Sequence, residues 1–247
     1  MTIDIIGGKR EEACRDFLRE KGGILGFSSV LVLPIPSTRN GISVTGTELL
    51  LATLAEDSGG KLIAGYSLPS GFVSLANEHG AYVCDVAGDE IFTEENARLT
   101  AEGTLSYVMN SEEKSLSDMR VGIVGYGRIG RTLAELLLFF GARVTVITRR
   151  ESVKLELLFS GVDAILVPDA RLSDFDVLVN TAPARLFTKK QCDGIRGTVI
   201  ELAPGENLPW VQNLTRLPSL PAKRLPISGG RAYAAAILRC VADKGEK

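Results

Sequence analysis

Hydrophobic and polar positions follow one another along the chain in blocks that predict strands and helices in turn. Short apolar runs, such as VLVL at 30–33 and VGIVG at 121–125, are bounded by glycine, proline or polar residues and have the length of buried strands. Longer segments with apolar residues at helical spacing lie between such runs. This alternation continues almost from end to end, which predicts an α/β protein with largely parallel sheets.

The first part of the chain predicts a small α/β domain. Its hydrophobic pattern predicts strands at about 2–6, 30–33, 61–64 and 81–86. It predicts helices at about 9–21, 48–55 and 70–78. A longer helix is predicted over 93–110, because Thr93 offers an N-cap, Glu95 lies in the first turn, and apolar residues follow at helical spacing. This helix would carry the chain from one domain to the next.

The second part has the strongest local pattern, a strand, a turn, a helix and a second strand over 121–150. After it we predict strands at 164–167, 176–180 and 198–201, a proline-rich loop at 217–226 and a last helix at about 228–243. Two domains are therefore predicted. The first comprises residues 1–95 with the C-terminal helix, 228–247, and the second comprises residues 96–227.

Composition narrows the class of protein. The 247 residues are 45% hydrophobic and 23% charged, as in ordinary globular proteins, and the net charge of −2 leaves no basic excess for a nucleic-acid partner. The longest apolar stretch, 133–142, is too short to span a bilayer, and the first residues do not resemble a signal peptide, so we expect a cytoplasmic protein. The four cysteines are far apart and predict reduced, mostly buried thiols, with no disulfide framework and no metal site.

A glycine-rich turn carries the clearest chemistry. Gly125, Gly127 and Gly130 form GxGxxG directly after a strand and at the start of a helix. The first glycine permits the tight turn, the second lets the backbone approach a pyrophosphate, and the third lets helix and strand pack closely. We therefore predict that the turn Gly125, Tyr126, Gly127, Arg128, Ile129 and Gly130 binds a dinucleotide. The alternative is a turn of the same shape that has lost its ligand.

Three further segments extend this predicted cofactor site. The next strand ends in Thr148, Arg149 and Arg150, where an NAD enzyme usually has an acidic residue for the ribose, and arginine there favours the 2′-phosphate of NADP. Two solvated arginines at a strand end are the alternative. Later strand ends predict residues near the nicotinamide, although ordinary turns would look the same: Thr181, Ala182, Pro183, Leu202 and Ala203.

Several motifs together resemble one superfamily. They are GGKREE at 7–12, LPIPSTRNG at 33–41, NARLTAEGT at 96–104, GYGRIGRTLA at 125–134, NTAP at 180–183 and PSLPAKRLPISGG at 218–230. These segments are similar to motifs of the D-2-hydroxyacid dehydrogenase superfamily and, within it, of the dipicolinate synthase A subunits. The resemblance covers nearly the whole chain. It implies a Rossmann NAD(P)-binding domain joined by a long helix to a smaller, flavodoxin-like N-terminal domain.

The same resemblance implies an activity. The family oxidises the product of dihydrodipicolinate synthase, 4-hydroxytetrahydrodipicolinate or dihydrodipicolinate, to dipicolinate, a step of dipicolinate biosynthesis in sporulation. It also implies a partner, a flavoprotein-like B subunit, and we expect a homo-oligomer. The only histidine, His79, lies at a predicted helix end in the N-terminal domain and is rejected as the general base. The family lacks that base as well, so no catalytic residue is assigned and no metal is expected.

Donors for the substrate carboxylates are expected at strand ends of the first domain and on the bridging helix. The candidates are Ser37, Thr38, Arg39, Ser67, Ser70, Asn96 and Thr100. They would line a cleft between the domains, opposite the cofactor wall at residues 181–183 and Ala203. Ordinary turn or cap chemistry is the alternative for each serine or threonine.

Departures from the family pattern keep two other functions open. The segment Ala203–Glu206 lacks a basic residue that the family has after the corresponding strand and that could hold a substrate carboxylate. The chain could therefore be another NAD(P)-dependent oxidoreductase of the superfamily, acting on a different carboxylated substrate. It could also be a partner protein that binds NADP without turning over.

Overall fold

The structure, a computed structural model, describes residues 1–22, 26–212 and 214–245. The chain divides into two compact units: unit 1 comprises Met1–Leu99 and Pro221–Lys247, and unit 2 comprises Thr100–Leu220. The change of unit falls inside one long helix, Glu90–Ser111. Residues 246 and 247 of the predicted C-terminal segment 228–247 lie outside the described residues.

The elements follow one another in the predicted alternation. The strands are β1 (Thr2–Ile5), β2 (Ser29–Val32), β3 (Leu62–Gly65), β4 (Tyr82–Asp85), β5 (Arg120–Val124), β6 (Arg143–Thr148), β7 (Asp163–Leu166), β8 (Val177–Asn180), β9 (Thr198–Glu201) and β10 (Leu214–Arg216). The helices are α1 (Lys9–Glu20), α2 (Leu51–Glu56), α3 (Ser70–Glu78), α4 (Glu90–Ser111), α5 (Arg128–Phe139), α6 (Glu151–Phe159), α7 (Lys189–Cys192), α8 (Leu220–Arg224) and α9 (Pro226–Gly245). None of the described helices combines the length and apolar composition that crossing a membrane requires.

Both units are built on parallel sheets. Unit 1 has four strands in the order β1–β2–β3–β4, and unit 2 has six in the order β10–β9–β8–β5–β6–β7. In unit 2 the chain therefore moves outward from β5 to β7, returns to β8 and moves outward on the other side. The strand order reverses between β5 and β8, which makes this the topological switch point of a doubly wound sheet. The predicted α/β fold, with two parallel sheets and a long connecting helix, is confirmed.

Each sheet is buried on both faces because successive strand residues point to opposite sides. In unit 2, Val121 and Ile123 of β5 pack in a cluster with Leu133 of α5, whereas Val124 belongs to a second cluster with Phe187. Unit 1 likewise has two clusters, one with residues of α1 and α9 and one with residues of α2 and α3. The buried apolar strands that the sequence predicted are thus covered on both faces, by helices in unit 1 and by helices and connecting segments in unit 2.

The proline-rich segment differs from its prediction as a loop. It contains the short helix α8, in which Pro221 is the second residue, and Pro226 begins α9. Proline is compatible with the first turn of a helix, because the N–H groups there have no partner inside the helix. The prediction of a loop over 217–226 is therefore wrong for residues 220–224.

The prediction of four reduced thiols is also wrong. Cys84 of β4 and Cys240 of α9 form a disulfide across 156 positions of sequence, while Cys14 and Cys192 are free and buried. The strand and the terminal helix meet only in the folded unit, so the spacing of the cysteines along the chain gave no sign of their pairing.

Candidate dinucleotide site

Four turns of unit 2 follow one row of residues across its sheet. The parallel register pairs Val124 of β5 with Ile147 on one side and with Asn180 on the other, and it pairs Asn180 with Glu201. Val124, Ile147, Asn180 and Glu201 thus form one row across the sheet. Each of the four predicted cofactor segments begins one residue after its member of this row, at positions 125, 148, 181 and 202. Since the carboxyl ends of parallel strands share one edge, the structure brings all four segments to that edge, at the switch point of the sheet.

The glycine turn has the geometry that a pyrophosphate requires. Gly125 has a φ of +93°, a conformation that a residue with a Cβ rarely adopts. Gly127 is the N-cap of α5 and has no side chain to occupy the first N–H groups of that helix, and a Cβ built on it meets no atom within 4 Å. The turn therefore offers open space and, at the positive end of a helix, N–H groups that have no acceptor within that helix, which fits an anionic ligand.

The remaining residues of the turn support this shape. Tyr126 packs half-buried against the core of unit 2, Arg128 is exposed, and Ile129 is half-buried in the first turn of α5. A Cβ on Gly130 would collide with the carbonyl oxygen of Gly125. Gly130 is therefore the close-packing glycine that the motif predicts.

The loop after β8 packs directly against the glycine turn. The Thr181 Oγ1 hydroxyl and the Thr181 N–H both donate to the carbonyl oxygen of Val124, each at 2.9 Å. A Cβ on Gly125 would lie 2.9 Å from Thr181 Oγ1 and 3.3 Å from Ala182 Cβ. Pro183 follows as an exposed residue. The tight turn and the NTAP loop thus form one continuous surface, and glycine at 125 is what permits their approach.

The end of β6 presents two arginines to solvent. Thr148 is buried, and its Oγ1 accepts a 3.1 Å hydrogen bond from the Arg150 N–H. Arg149 and Arg150 are exposed, and within the described part of the chain neither side chain has an ion-pair partner. The first acidic residue, Glu151, already belongs to α6 and pairs with Lys154 at 3.3 Å. The edge at β6 thus carries positive charge that no neighbouring carboxylate neutralises.

A buried polar network lies at the ends of β8 and β9. Asn180 Nδ2 donates to Glu201 Oε1 at 2.8 Å and to the carbonyl oxygen of Ala182 at 3.1 Å, and the Ala203 N–H donates to the same Glu201 oxygen at 3.1 Å. Glu201 is only 2% exposed, and its Oε2 atom has no hydrogen-bond partner among the described residues. Burial raises the pKa of the Glu201 carboxyl, and the nearby amides of Asn180 and Asn207, the Ala203 N–H and the charge of Arg216 act in the opposite direction.

The sequence placed Asn180 and Glu201 at the start of the two segments expected near the nicotinamide but named neither as a contact residue, and it did not point to Asn207 at all. The signal was present in part, because a glutamate closes the otherwise apolar run of β9 at the carboxyl edge of the sheet. Its burial, its bonds to the 180–182 loop and its unpartnered oxygen became visible only in the structure. The two predicted residues after it, Leu202 and Ala203, are half-buried, and the Leu202 N–H donates to Asn180 O at 3.0 Å.

The candidate substrate residues of the LPIPSTRNG loop differ in their surroundings. Ser37 is wholly buried; its Oγ donates to Pro34 O at 3.0 Å and accepts from the Tyr66 N–H at 2.8 Å. Thr38 Oγ1 accepts from the Gly41 N–H at 3.0 Å. Both hydroxyls thus stabilise the shape of the loop, as expected if they serve ordinary turn chemistry. Their role toward a substrate stays a prediction.

Arg39 is the candidate with an unused charged group. It is exposed, has no ion pair in the described residues, and lines a cavity of about 320 Å³ with Asn40, Thr45 and Glu48. Thr45 Oγ1 is buried without a hydrogen-bond partner among the residues described. Of the loop residues, Arg39 is therefore the one that could bind a carboxylate.

The other candidates lie on separate elements. Ser67 is exposed with a φ of +55°, and its N–H donates to Asp85 Oδ1 at 2.9 Å, so Asp85 fixes the segment after β3. Ser70 is the exposed first residue of α3. Asn96 and Thr100 both lie on α4, but Asn96 belongs to unit 1 and Thr100 begins unit 2. The structure therefore brings the segments of Ser37 and Ser67 together through Tyr66, and the cleft expected between the domains stays a prediction.

His79 lies where the sequence predicted, at the C-terminus of α3. It is the C-cap residue, its Nδ1 is 2.9 Å from Leu75 O, and Gly80 follows with a φ of +80°. Within the described residues, no group of three or more His, Cys, Asp or Glu side chains is placed to hold a metal ion.

A doubly wound parallel sheet with GxGxxG at its switch point defines unit 2 as a dinucleotide-binding domain of the Rossmann type. Comparisons with known proteins agree with this class. Residues 82–194 match the family model of the D-isomer specific 2-hydroxyacid dehydrogenase, NAD binding domain. A search of curated proteins gave no match.

The chain is similar in structure to the A subunits of dipicolinate synthases. With the enzyme from Bacillus subtilis it shares a TM-score of 0.76 and 18% identity, over 99% of this chain and 97% of that one. With the enzyme from Bacillus halodurans it shares a TM-score of 0.76 and 20% identity, over 97% of each chain. The transhydrogenase from Sinorhizobium meliloti follows at a TM-score of 0.67 and 16% identity, over 99% and 95% of the two chains.

These findings confirm the predicted resemblance at the level of the fold. The family match to an NAD-binding domain supports binding of a nicotinamide dinucleotide by unit 2 and a dehydrogenase-like role for the chain. The identities of 18% and 20% leave the substrate and the choice between NAD and NADP to the residues of the site.

Proposed function

We propose that this chain is an NADP-dependent oxidoreductase similar in activity to the dipicolinate synthases. The observation that carries the proposal is the row of four turns at the carboxyl edge of the unit 2 sheet, with an open GxGxxG turn at its centre and two unneutralised arginines at its β6 end. The motifs shared with the dipicolinate synthase A subunits supply the substrate class.

The proposed reaction removes one hydride and one proton from dihydrodipicolinate to give dipicolinate, and 4-hydroxytetrahydrodipicolinate would first lose water. The nicotinamide dinucleotide, when bound, supplies the hydride acceptor. Formation of an aromatic ring provides much of the driving force, so the reaction has little need of a strong acid or base. This agrees with a chain whose single histidine caps a helix of unit 1.

The residues of unit 2 would then act by binding and orientation. The N–H groups at the start of α5 would hold the pyrophosphate, and Gly127 leaves the space for it. Arg149 and Arg150 would form charge-assisted hydrogen bonds with the 2′-phosphate. The backbones of residues 181–183 and 202–203 would border the nicotinamide. In unit 1, Arg39 is the residue that we propose for a substrate carboxylate.

Partners and location belong to the same proposal. The proposed partners are a small dicarboxylate, a second copy of this chain and a flavoprotein-like B subunit, in the cytoplasm, without nucleic acid or membrane.

The direct test is turnover on a freshly made substrate. Purified chain is mixed with the product of dihydrodipicolinate synthase and with NADP or NAD, and the ultraviolet absorbance of dipicolinate and the reduced cofactor are followed together. We expect both to appear in equal amounts and faster with NADP. The assay is repeated with a candidate B subunit. Binding of NADPH without dipicolinate in either arrangement would contradict the proposed activity.

A second function is favoured by one observation. The segment Ala203–Glu206 after β9 lacks the basic residue that the resemblance would place there, so the substrate could carry its carboxylate differently. A panel of 2-hydroxy acids and 2-oxo acids, tested with both cofactors, would reveal such an oxidoreductase. A thermal shift with NADPH but no turnover on any of them would indicate a partner protein that only binds the dinucleotide.

A further inference from the structure

Glu201 is the one buried carboxyl at the carboxyl edge of the described unit 2 sheet whose two oxygens are used unequally. Its Oε1 atom accepts from Asn180 Nδ2 at 2.8 Å and from the Ala203 N–H at 3.1 Å. Its Oε2 atom is buried and has no hydrogen-bond partner in the described chain. The neighbouring Asn207 gives one of its two Nδ2 hydrogens to Pro204 O at 3.0 Å, and its amide acts to lower the pKa of the Glu201 carboxyl. A buried polar atom without a hydrogen bond costs free energy, so this oxygen indicates that a donor from outside the described chain binds there.

The place of this oxygen in the sheet identifies the end of the dinucleotide that would reach it. The strand order reverses between β5 and β8, and the arginines for the adenosine ribose follow β6, on one side of the reversal. The pyrophosphate turn lies at β5, in the middle. A dinucleotide that crosses this edge therefore has its other half, the nicotinamide, above β8 and β9, where Glu201 closes the row.

We propose that Glu201 Oε2 accepts a hydrogen bond from the carboxamide N–H of the nicotinamide ring. This inference rests on the proposed function, because it concerns the same dinucleotide. The carboxamide is the polar group of that ring, and it carries two N–H donors. With a donor on each oxygen the carboxylate would be satisfied, and these bonds favour its charged form against the effect of burial.

The network around Glu201 fixes which oxygen is left without a donor. Oε1 is held by two donors, and one of them, Asn180, also holds Ala182 O of the loop beside the glycine turn. The carboxyl group cannot rotate without breaking these bonds. Glu201 would thus bind the carboxamide directly. Through Asn180 it would also hold in place the loop at residue 182, which borders the nicotinamide.

Binding measurements can test this assignment without turnover. We would titrate the full chain by calorimetry with three ligands: NADPH, its 3-acetylpyridine analogue, in which a methyl group replaces the carboxamide nitrogen, and 2′-phospho-ADP-ribose, which lacks the ring. The wild type should bind NADPH about tenfold more tightly than the acetylpyridine analogue, because the analogue has no N–H to donate.

The isosteric variant Glu201→Gln should remove this preference. Its Oε1 can still accept from Asn180 and Ala203, which places an NH₂ group where Oε2 was, and that group cannot accept. It can donate to the ring carbonyl, which both ligands have, so their affinities should become equal within about twofold. Affinity for 2′-phospho-ADP-ribose should stay unchanged. The matched control is Glu206→Gln on the exposed side of the same loop, which should behave as the wild type does.

Several results would overturn the assignment. The first needs only the wild type: equal affinity for NADPH and the acetylpyridine analogue would exclude an N–H contact, whether or not the variant folds. A Glu201→Gln protein that keeps the preference excludes Glu201 as the acceptor. Equal weakening of NADPH and 2′-phospho-ADP-ribose in that variant shows a purely structural role. If the wild type binds neither ligand, the proposed function itself fails, and the inference fails with it.

Discussion

The choice between NADP and NAD depends on the two arginines after β6, and their removal is the most direct perturbation of the proposed site. Arg149 and Arg150 are exposed and have no ion-pair partner in the described chain, so the double change Arg149→Ala/Arg150→Ala should leave folding unaffected. No carboxylate loses a partner, and the backbone bond from the Arg150 N–H to Thr148 Oγ1 is kept.

The size of the effect follows from the exposure of the two side chains. A hydrogen bond between charged groups contributes about 1.5–3 kcal/mol, and exposed contacts belong at the lower end because water and salt screen them. One arginine on the 2′-phosphate thus accounts for roughly a tenfold difference in affinity, and two for roughly a hundredfold. NADH has no 2′-phosphate, so its affinity should change by less than about twofold.

Calorimetric titration of NADPH and NADH at one fixed salt concentration would measure these differences. The matched control is Arg143→Ala, since Arg143 is an exposed arginine at the opposite end of the same strand. It should change neither affinity. Equal losses of NADPH and NADH in the double variant would refute the reasoning, because the arginines would then act on a part that both dinucleotides share.

Three other changes test the turn, a buried ion pair and the substrate loop. Gly127→Val should abolish dinucleotide binding, because the new side chain would occupy the space of the pyrophosphate. The melting temperature should stay the same, since Gly127 has ordinary backbone angles and a Cβ there meets no protein atom. The control Gly8→Val, at the N-cap of α1, should change neither binding nor melting temperature, and retained NADPH affinity in a folded Gly127→Val protein would place the pyrophosphate elsewhere. Glu11→Ala should lower the free energy of unfolding in urea by about 3–5 kcal/mol, since it leaves its buried arginine partner uncompensated. The exposed Glu12→Ala should cost under about 0.5 kcal/mol, and equal costs would show that the pair is unimportant. Ser37→Ala should destabilise by about 1–3 kcal/mol, because a backbone N–H loses its acceptor, and a raised KM with unchanged stability would instead restore its role toward the substrate.

The fold could be predicted from the sequence because its information is local. Apolar runs of strand length, helical spacing between them and a glycine turn in a strand–turn–helix context each depend on neighbouring residues alone. The NTAP loop and the arginines after β6 could be assigned to the same edge as Gly125 because parallel strands place their carboxyl ends together. These inferences needed only the order of the elements.

Contacts between distant residues could not be predicted in this way. The Cys84–Cys240 bond joins a strand to the last helix, and Ser37 Oγ meets the Tyr66 N–H across the ends of two strands. Both depend on packing, for which the chain has no local pattern. Ser37 looked like a substrate donor because hydroxyl residues in a loop are common to turns and sites, and only its burial separates the two roles.

The two ends of the proposed dinucleotide site should respond differently to salt. Arg149 and Arg150 are exposed, so the preference for NADPH over NADH arises from charges in water and should fall as salt rises from about 0.05 to 0.5 M, where the screening length shrinks to a few ångströms. Glu201 is buried, and screening acts weakly on buried groups, so the preference for NADPH over its acetylpyridine analogue should stay nearly constant over the same range. Titrations of NADPH, NADH and the acetylpyridine analogue at several salt concentrations would measure both affinity ratios, NADPH to NADH and NADPH to the analogue. If both ratios fell together, ring recognition would depend on exposed charge, and the buried carboxylate would not be its source.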